Sequence, residues 1–142
     1  MHAADVVVVG PDMDLVTDTV APHPTCVQAD RNGTGGAVKA ARAELEGFTG
    51  TVLVLYGDTP LVRADTMAAA AGACADGAAV SVLGFRPSHF HQYGRLITDD
   101  SGALTAIVEA RDASPEELDV NLCNSGVIAA DANTLFDLID HV

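Results

Sequence analysis

An α/β fold on a mostly parallel, mixed sheet is predicted by three observations. Apolar runs of strand length alternate with Ala-rich segments of helical period. In the first half the order is β-α-β-α-β-α-β, which requires right-handed crossovers and parallel strands. After Pro87 two strand-like runs flank Asp99-Asp100-Ser101-Gly102, a hairpin-type turn that adds an antiparallel insertion.

Each element has a local reason. Asp5 to Val9 carries four successive valines, as suits a strand covered on both faces. Asp14 to Val20 is a weak helix, stopped by Ala21-Pro22-His23-Pro24, where prolines deny donors and helical geometry. Thr25 to Ala29 reads as a short strand. Gly36 to Glu46 reads as a helix with Ala37, Val38, Ala41 and Leu45 on one face and Gly47 as its stop. Thr51 to Tyr56 is a β-branched and Leu run between glycines. Ala64 to Cys74 is an Ala-rich helix, and Ala79 to Phe85 another buried strand. Tyr93 to Thr98 and Ala103 to Glu109 form the hairpin. Ser114-Pro115-Glu116-Glu117 starts a helix: a Ser cap, Pro at the first position, acids in the first turn. Leu122 to Ala130 is a strand and Ala132 to His141 the last helix. The whole is a Rossmann-like α/β arrangement, one domain over residues 1–142.

The 142 residues are 49% hydrophobic, which suits a folded core rather than disorder. Seven Lys plus Arg face 20 Asp plus Glu, a formal charge of −13. One lysine and six arginines build no broad basic stripe, so neither nucleic acid nor an anionic membrane surface is an expected partner. No run reaches the roughly 20 apolar residues of a membrane span, and MHAADVVVVG lacks the basic and cleavage features of a signal peptide. Cys26, Cys74 and Cys123 are odd in number and form no C-x-x-C pair, which suits reduced thiols in the cytoplasm.

Three regions carry candidate chemistry. Val27-Gln28-Ala29-Asp30-Arg31-Asn32-Gly33-Thr34-Gly35-Gly36-Ala37 leaves a strand and enters a helix through a glycine-rich turn, where backbone N–H groups can approach a ligand. The Gln28 carboxamide holds both a donor and an acceptor, as the edge of uracil does. A ligand-free turn fits the same residues, and no Gly-Lys-Ser/Thr follows to make a P-loop. Tyr56-Gly57-Asp58-Thr59-Pro60-Leu61 places Asp58 beyond the carboxyl end of a strand, where open α/β sheets bind ligands. One carboxylate with phosphate oxygens can hold Mg²⁺; a turn aspartate capping the next helix is the other reading. Tyr93-Gly94-Arg95, Ile107-Val108-Glu109 and Asn124-Ser125-Gly126 set small or polar residues at strand ends, which taken singly read as bulge, exposed acid and turn. His89-x-His91 is a conceivable metal pair, but a polar loop after Arg86-Pro87 is the simpler reading.

In order, Q-A-D-x-x-G-T-G-x-A, V-L-V-L-Y-G-D-x-P-L, Y-G-R-L-I, I-V-E-A-R-D-A and N-S-G resemble the pyrophosphorylase domain of bifunctional UDP-N-acetylglucosamine pyrophosphorylase / glucosamine-1-phosphate N-acetyltransferase, from about Val6 to His141. The resemblance implies a nucleotidyltransferase fold and a Mg²⁺-dependent enzyme. That enzyme transfers UMP from UTP to N-acetylglucosamine 1-phosphate, releasing pyrophosphate, in the supply of cell-wall peptidoglycan. It implies that Gln28, Gly33 and Thr34 contact uracil. Tyr56, Gly57 and Asp58 would lie beside ribose and phosphates, with Asp58 as metal ligand and catalytic residue. Gly94, Glu109 and Asn124 would bind the sugar phosphate. Gln28, Gly33, Asp58, Gly94, Glu109 and Asn124 are thus expected in one cleft.

The chain departs from the family pattern. Arg31 stands where Gln is frequent and Gly36 where His is common. The family's opening G-x-G-T-R loop, an Asn metal ligand and the hexapeptide-repeat domain have no counterpart, so the chain resembles an internal piece. It is expected to have no appreciable pyrophosphorylase activity alone. Nucleotidyltransfer from CTP or GTP, or a non-catalytic binding module, are the other classes left open, and the oligomeric state is not read from the sequence.

Overall fold

A computed structural model describes residues 5–89 and 92–141, so His91 of the candidate metal pair lies outside the described residues. The chain divides into two compact units. One comprises the residues up to Gly50 together with those from Asp131, and the other spans Thr51–Ala130.

The first unit holds a two-stranded sheet of β1 (Val7–Val9) and β2 (Thr25–Val27). The strands run parallel, with Val7 opposite Thr25 and Val9 opposite Val27. Helix α1 (Asp14–Val20) connects them and ends at Ala21-Pro22, at the predicted boundary. Helix α2 (Thr34–Ala40) begins two residues earlier than Gly36, because Gly33 takes a φ of 93° and serves as its N-cap. The helical run does not continue to Glu46 in one geometry. It tightens into a 3₁₀ turn, Arg42–Leu45, in which Glu44 N–H bonds the Ala41 carbonyl three residues back. Arg42 sits at this change of pitch. Its guanidinium donates to the Phe136 carbonyl at 3.0 Å and to Asp140 at 2.9 Å, and lies 4.9 Å from the Phe136 ring centre. Arg42, helped by Lys39, lowers the Asp140 pKa. Helix α5 (Ala132–Ile139) is capped by Asp131, whose carboxylate accepts from Asn133 and Thr134 N–H. Val9, Val38, Ala41, Ala132 and Leu135 are the buried apolar residues of this unit.

The second unit is a five-stranded sheet with two helices. Strands β3 (Thr51–Val54), β4 (Val80–Phe85), β5 (Arg95–Thr98), β6 (Leu104–Val108) and β7 (Cys123–Asp131) are arranged β3-β7-β5-β6, with β4 also on β7. β3 is shorter than the predicted run to Tyr56, since the Tyr56 carbonyl is held by a turn through Thr59 N–H at 3.2 Å. The mixed α/β class is as expected, but the antiparallel share exceeds the mostly parallel reading. β4–β7, β5–β6 and β5–β7 are all antiparallel. A crossover helix lets two strands run the same way, but they form a parallel pair only when they end up as neighbours. Here β7 pairs with both β3 and β4, although α3 (Ala64–Ala75) links those two in sequence. The predicted hairpin is present, Arg95 opposite Val108 and Leu96 opposite Ile107. Its turn is braced by Asp99, whose carboxylate accepts from the Ser101 hydroxyl and from Ala103 and Ser101 N–H, and those bonds, the hydroxyl's foremost, lower its pKa.

Helix α3 ends in a Schellman motif: Ala78 N–H reaches the Ala73 carbonyl at 3.0 Å and Gly77 N–H the Cys74 carbonyl at 3.1 Å, with Gly77 at φ 109°. Helix α4 (Pro115–Leu118) carries a reciprocal capping box, Glu117 N–H to Ser114 Oγ and Ser114 N–H to the Glu117 carboxylate. The core is made by Ala70, Leu96, Cys123, Val127 and Ala129, with one buried charge among the described residues, Arg95, at 0% exposure. No helix among the described residues is long and apolar enough to cross a membrane.

Candidate nucleotide and sugar sites

The predicted residues fall in both units. Gln28, Gly33 and Thr34 belong to the first; Tyr56, Gly57, Asp58, Gly94, Glu109 and Asn124 to the second.

In the first unit the glycine-rich turn opens a cleft of about 780 Å³ lined by Gly10, Pro11, Asp12, Met13, Gln28, Arg31 and Gly33. Gln28 is anchored to the sheet by its backbone N–H, 2.8 Å from the Val9 carbonyl. Its side-chain amide does not stand open as both donor and acceptor. Nε2 donates to the Gly33 carbonyl at 2.9 Å and to Asn32 Oδ1 at 3.0 Å. A backbone carbonyl only accepts, so the nitrogen lies on the turn side and Oε1 is the atom the amide can offer a ligand. Thr34 is the first residue of α2. A second cleft of this unit, about 640 Å³, lies along α2 and α5 with Leu45, Phe48 and Phe136 among its walls, and holds none of the predicted residues.

In the second unit three segments meet at Gly94. Asn124 N–H donates to the Gly94 carbonyl at 2.9 Å. The Glu109 carboxylate lies over the Gly94 α-carbon, so that a Cβ there would sit 3.4 Å from Oε1 and 3.5 Å from Oε2. Asn124 Oδ1 accepts from Gly126 N–H at 2.9 Å, which leaves the amide hydrogens as its offer to a ligand. An anionic acceptor and a neutral donor thus flank one backbone segment, a pair that suits sugar hydroxyls. The segment is held from beneath by Arg95. This guanidinium donates to the Tyr93 carbonyl and to the Leu118 carbonyl at 3.3 Å. Tyr93 also packs edge-on against Phe85, ring centres 4.9 Å apart.

These contacts predict that Gly94→Ala keeps the fold, because the nearest neighbours of the added methyl are the Glu109 carboxyl atoms, at ordinary van der Waals distance. Glu109 is exposed and the contact falls on the flexible end of its side chain. The loss of stability should stay near or below about 1 kcal/mol. Unfolding in urea checks this; a loss of several kcal/mol would mean that the added methyl meets more than the Glu109 carboxylate.

Asp58 lies in the exposed turn after β3, closed by Thr59 N–H and Oγ1 on the Tyr56 carbonyl. It does not cap α3, whose N-cap is Arg63 with no side-chain cap bond. Its carboxylate has no partner among the described residues. An exposed carboxylate fits a cation that keeps most of its water and takes other ligands from phosphate. No cluster of three or more ligating side chains exists among the described residues. Cys26 and Cys74 are half-buried and Cys123 fully buried; burial and the nearby Glu44 raise the Cys26 pKa, which disfavours a reactive thiolate.

Sequence reasoning gave no role to Asn32, Arg95 or Gly126. Gly126 has φ 83° and a Cβ there would lie 2.4 Å from Tyr56 Cε2. The signal for Arg95 was a single cation followed by an apolar run, Leu96-Ile97.

A glycine turn opening a helix beside a parallel strand pair, and a lone carboxylate at a strand end, are the places where an α/β fold offers ligand contacts. The chain belongs to the MobA-like NTP transferase domain family, whose model matches residues 1–118. It is 54% identical over 136 residues to a bifunctional protein GlmU of Rhodospirillum rubrum, covering 94% of this chain and 30% of that protein. It is 56% identical over 140 residues to the bifunctional protein GlmU of Paramagnetospirillum magneticum, covering 96% of this chain and 31% of that protein. The chain therefore spans about 30% of the length of the curated relatives it matches. The resemblance read from the motifs is borne out.

Proposed function

We propose that this domain binds UTP and N-acetylglucosamine 1-phosphate and serves the transfer of UMP to the sugar phosphate with release of pyrophosphate. The observation that carries this reading is the meeting of Gly94, Glu109 and Asn124 from three separate segments into one acceptor-and-donor set. Gln28, Gly33 and Thr34 take the uracil; Tyr56, Gly57 and Asp58 take ribose and phosphates; all nine residues work as parts of one partial nucleotidyltransferase domain over residues 1–142. The attacking group is a phosphate oxygen with a second pKa of about 6, already ionised at neutral pH. No general base is required, so Glu109 orients hydroxyls rather than moving a proton. Asp58 would hold Mg²⁺, which when bound supplies charge neutralisation at the phosphates. The residues' task is in-line positioning. A reducing cytoplasm fits the three cysteines, and the nucleotide sugar would feed cell-wall polymer synthesis.

The test is calorimetric titration of the chain with UTP, CTP and GTP, each with Mg²⁺, and with the sugar phosphate. UTP should bind tightest. Asp58→Asn should weaken Mg²⁺-nucleotide binding several-fold and leave unfolding within about 0.5 kcal/mol, as for other exposed positions. Tighter CTP or GTP would move the protein to another nucleotidyltransferase; no nucleotide binding by folded chain would make it a binding module of another kind.

A further inference from the structure

We propose that Asn32 and Gly36 act as a matched pair that locks the Gln28 carboxamide, so that this residue shows the base cleft an acceptor only. Asn32 is a positioning residue here. The inference rests on the reading of the Gln28 cleft as a uracil site.

The geometry is specific. Gln28 Nε2 has two hydrogens and two acceptors in reach, the Gly33 carbonyl at 2.9 Å and Asn32 Oδ1 at 3.0 Å. The second acceptor exists only because the Asn32 side chain folds over Gly36. A Cβ at position 36 would lie 1.7 Å from Asn32 Oδ1, 2.6 Å from its Cγ and 3.0 Å from its Nδ2. No side chain larger than hydrogen coexists with Asn32 in that place. Gly36 is not at positive φ, so neither a left-handed backbone nor a turn explains the glycine there. The space it leaves is filled by Asn32.

The consequence is discrimination between pyrimidines. With both hydrogens engaged, Gln28 can turn only Oε1 toward a ligand. Uracil carries a hydrogen on N3 and meets that oxygen as a donor; N3 of cytosine is an acceptor and meets it lone pair to lone pair. Without Asn32 the second Nε2 hydrogen would be free to donate to cytosine N3, and either base could be satisfied. A fixed orientation therefore works chiefly by penalising the wrong base.

The experiment follows the lock and the selectivity separately in the 142-residue chain. The variants are Asn32→Ala, Gly36→Ala and Asn32→Asp. Asn32 is exposed and alanine is the better helix former at position 36, so all should fold. Without nucleotide, NMR hydrogen exchange of the Gln28 side-chain amide should be slow in the parent, faster in Asn32→Ala and Gly36→Ala, and slow again in Asn32→Asp, which keeps an acceptor oxygen. Equal exchange in parent and both alanine variants would overturn the lock whatever the nucleotide data say. The UTP-to-CTP affinity ratio with Mg²⁺ should then fall about tenfold in each alanine variant and return in Asn32→Asp. A ratio that stays constant while the exchange rates change would overturn its role in selectivity. A parent that shows the protected amide but binds no UTP would count against the uracil site and leave the Asn32–Gly36 lock standing.

Discussion

Gly126→Ala is expected to destabilise the protein by about 2–4 kcal/mol, among the larger effects of a single substitution. Two costs combine. Gly126 has φ 83°, in the left-handed region, where a side chain costs roughly 1–2 kcal/mol. The added methyl would also lie 2.4 Å from Tyr56 Cε2 and 3.0 Å from Cζ, closer than packed atoms approach, so ring or strand must shift. The strand has little freedom to move. Val127 next to it is 1% exposed, and Ser125 Oγ ties it to the Leu83 carbonyl at 2.7 Å. The ring is therefore the part that gives way, and it belongs to the Tyr56-Gly57-Asp58 segment. Urea unfolding of the parent, Gly126→Ala, Tyr56→Ala and the double variant measures this. The double variant should be more stable than the sum of the singles by about 0.5–3 kcal/mol, the usual range for residues that touch. A Gly126→Ala loss below about 0.5 kcal/mol, the range of surface changes, would mean that Tyr56 does not rest there.

Pyrophosphate release by the purified 142-residue chain, from UTP and N-acetylglucosamine 1-phosphate with saturating Mg²⁺, is expected to stay far below about one turnover per second, the low end of ordinary enzymes. The reason is where its cations are. Transition-state charge in phosphoryl transfer must be met by cations close to the phosphates, and removing one such preorganised group costs about 10²–10³ in rate. The chain has seven Lys and Arg against 20 acids. Arg95 is buried, Arg42 and Lys39 pair with Asp140, Arg63 with Asp65, Arg111 with Asp112, and Arg86 donates to Asn121. Arg31 is the cation that lines the glycine-turn cleft. Surface pairs exchange cheaply, so the expectation has a clear refutation. Turnover near one per second would show that Arg63, Arg86 or Arg111 leaves its partner to serve the phosphates.

Much of the fold was legible because its signals are local. The α1 boundary follows from Pro22, and the hairpin from Asp99 and Gly102, both readable from a few adjacent residues. The start of α2 was misplaced because Gly33 at positive φ caps the helix itself, and helix propensity ranks glycine too low for that role to stand out. The break at Ala41 falls beside Arg42, whose partners Phe136 and Asp140 lie far along the chain, outside any local window.

By itself, the sequence determined the α/β class, the turn chemistry, the order of the motifs and, through them, the family. These depend on periodicity and on residue types within short windows, and they survive any change in how distant segments pair. Only the tertiary structure decided which strands neighbour β7, that Gly94, Glu109 and Asn124 meet, and that Gly126 seats Tyr56. It also decided that Asn32 fills the space above Gly36 and turns the Gln28 amide one way. Strand pairing is a long-range choice among hydrogen-bonding edges that look alike in sequence. The orientation of a carboxamide is set by whichever acceptors the folded chain brings within about 3 Å of it.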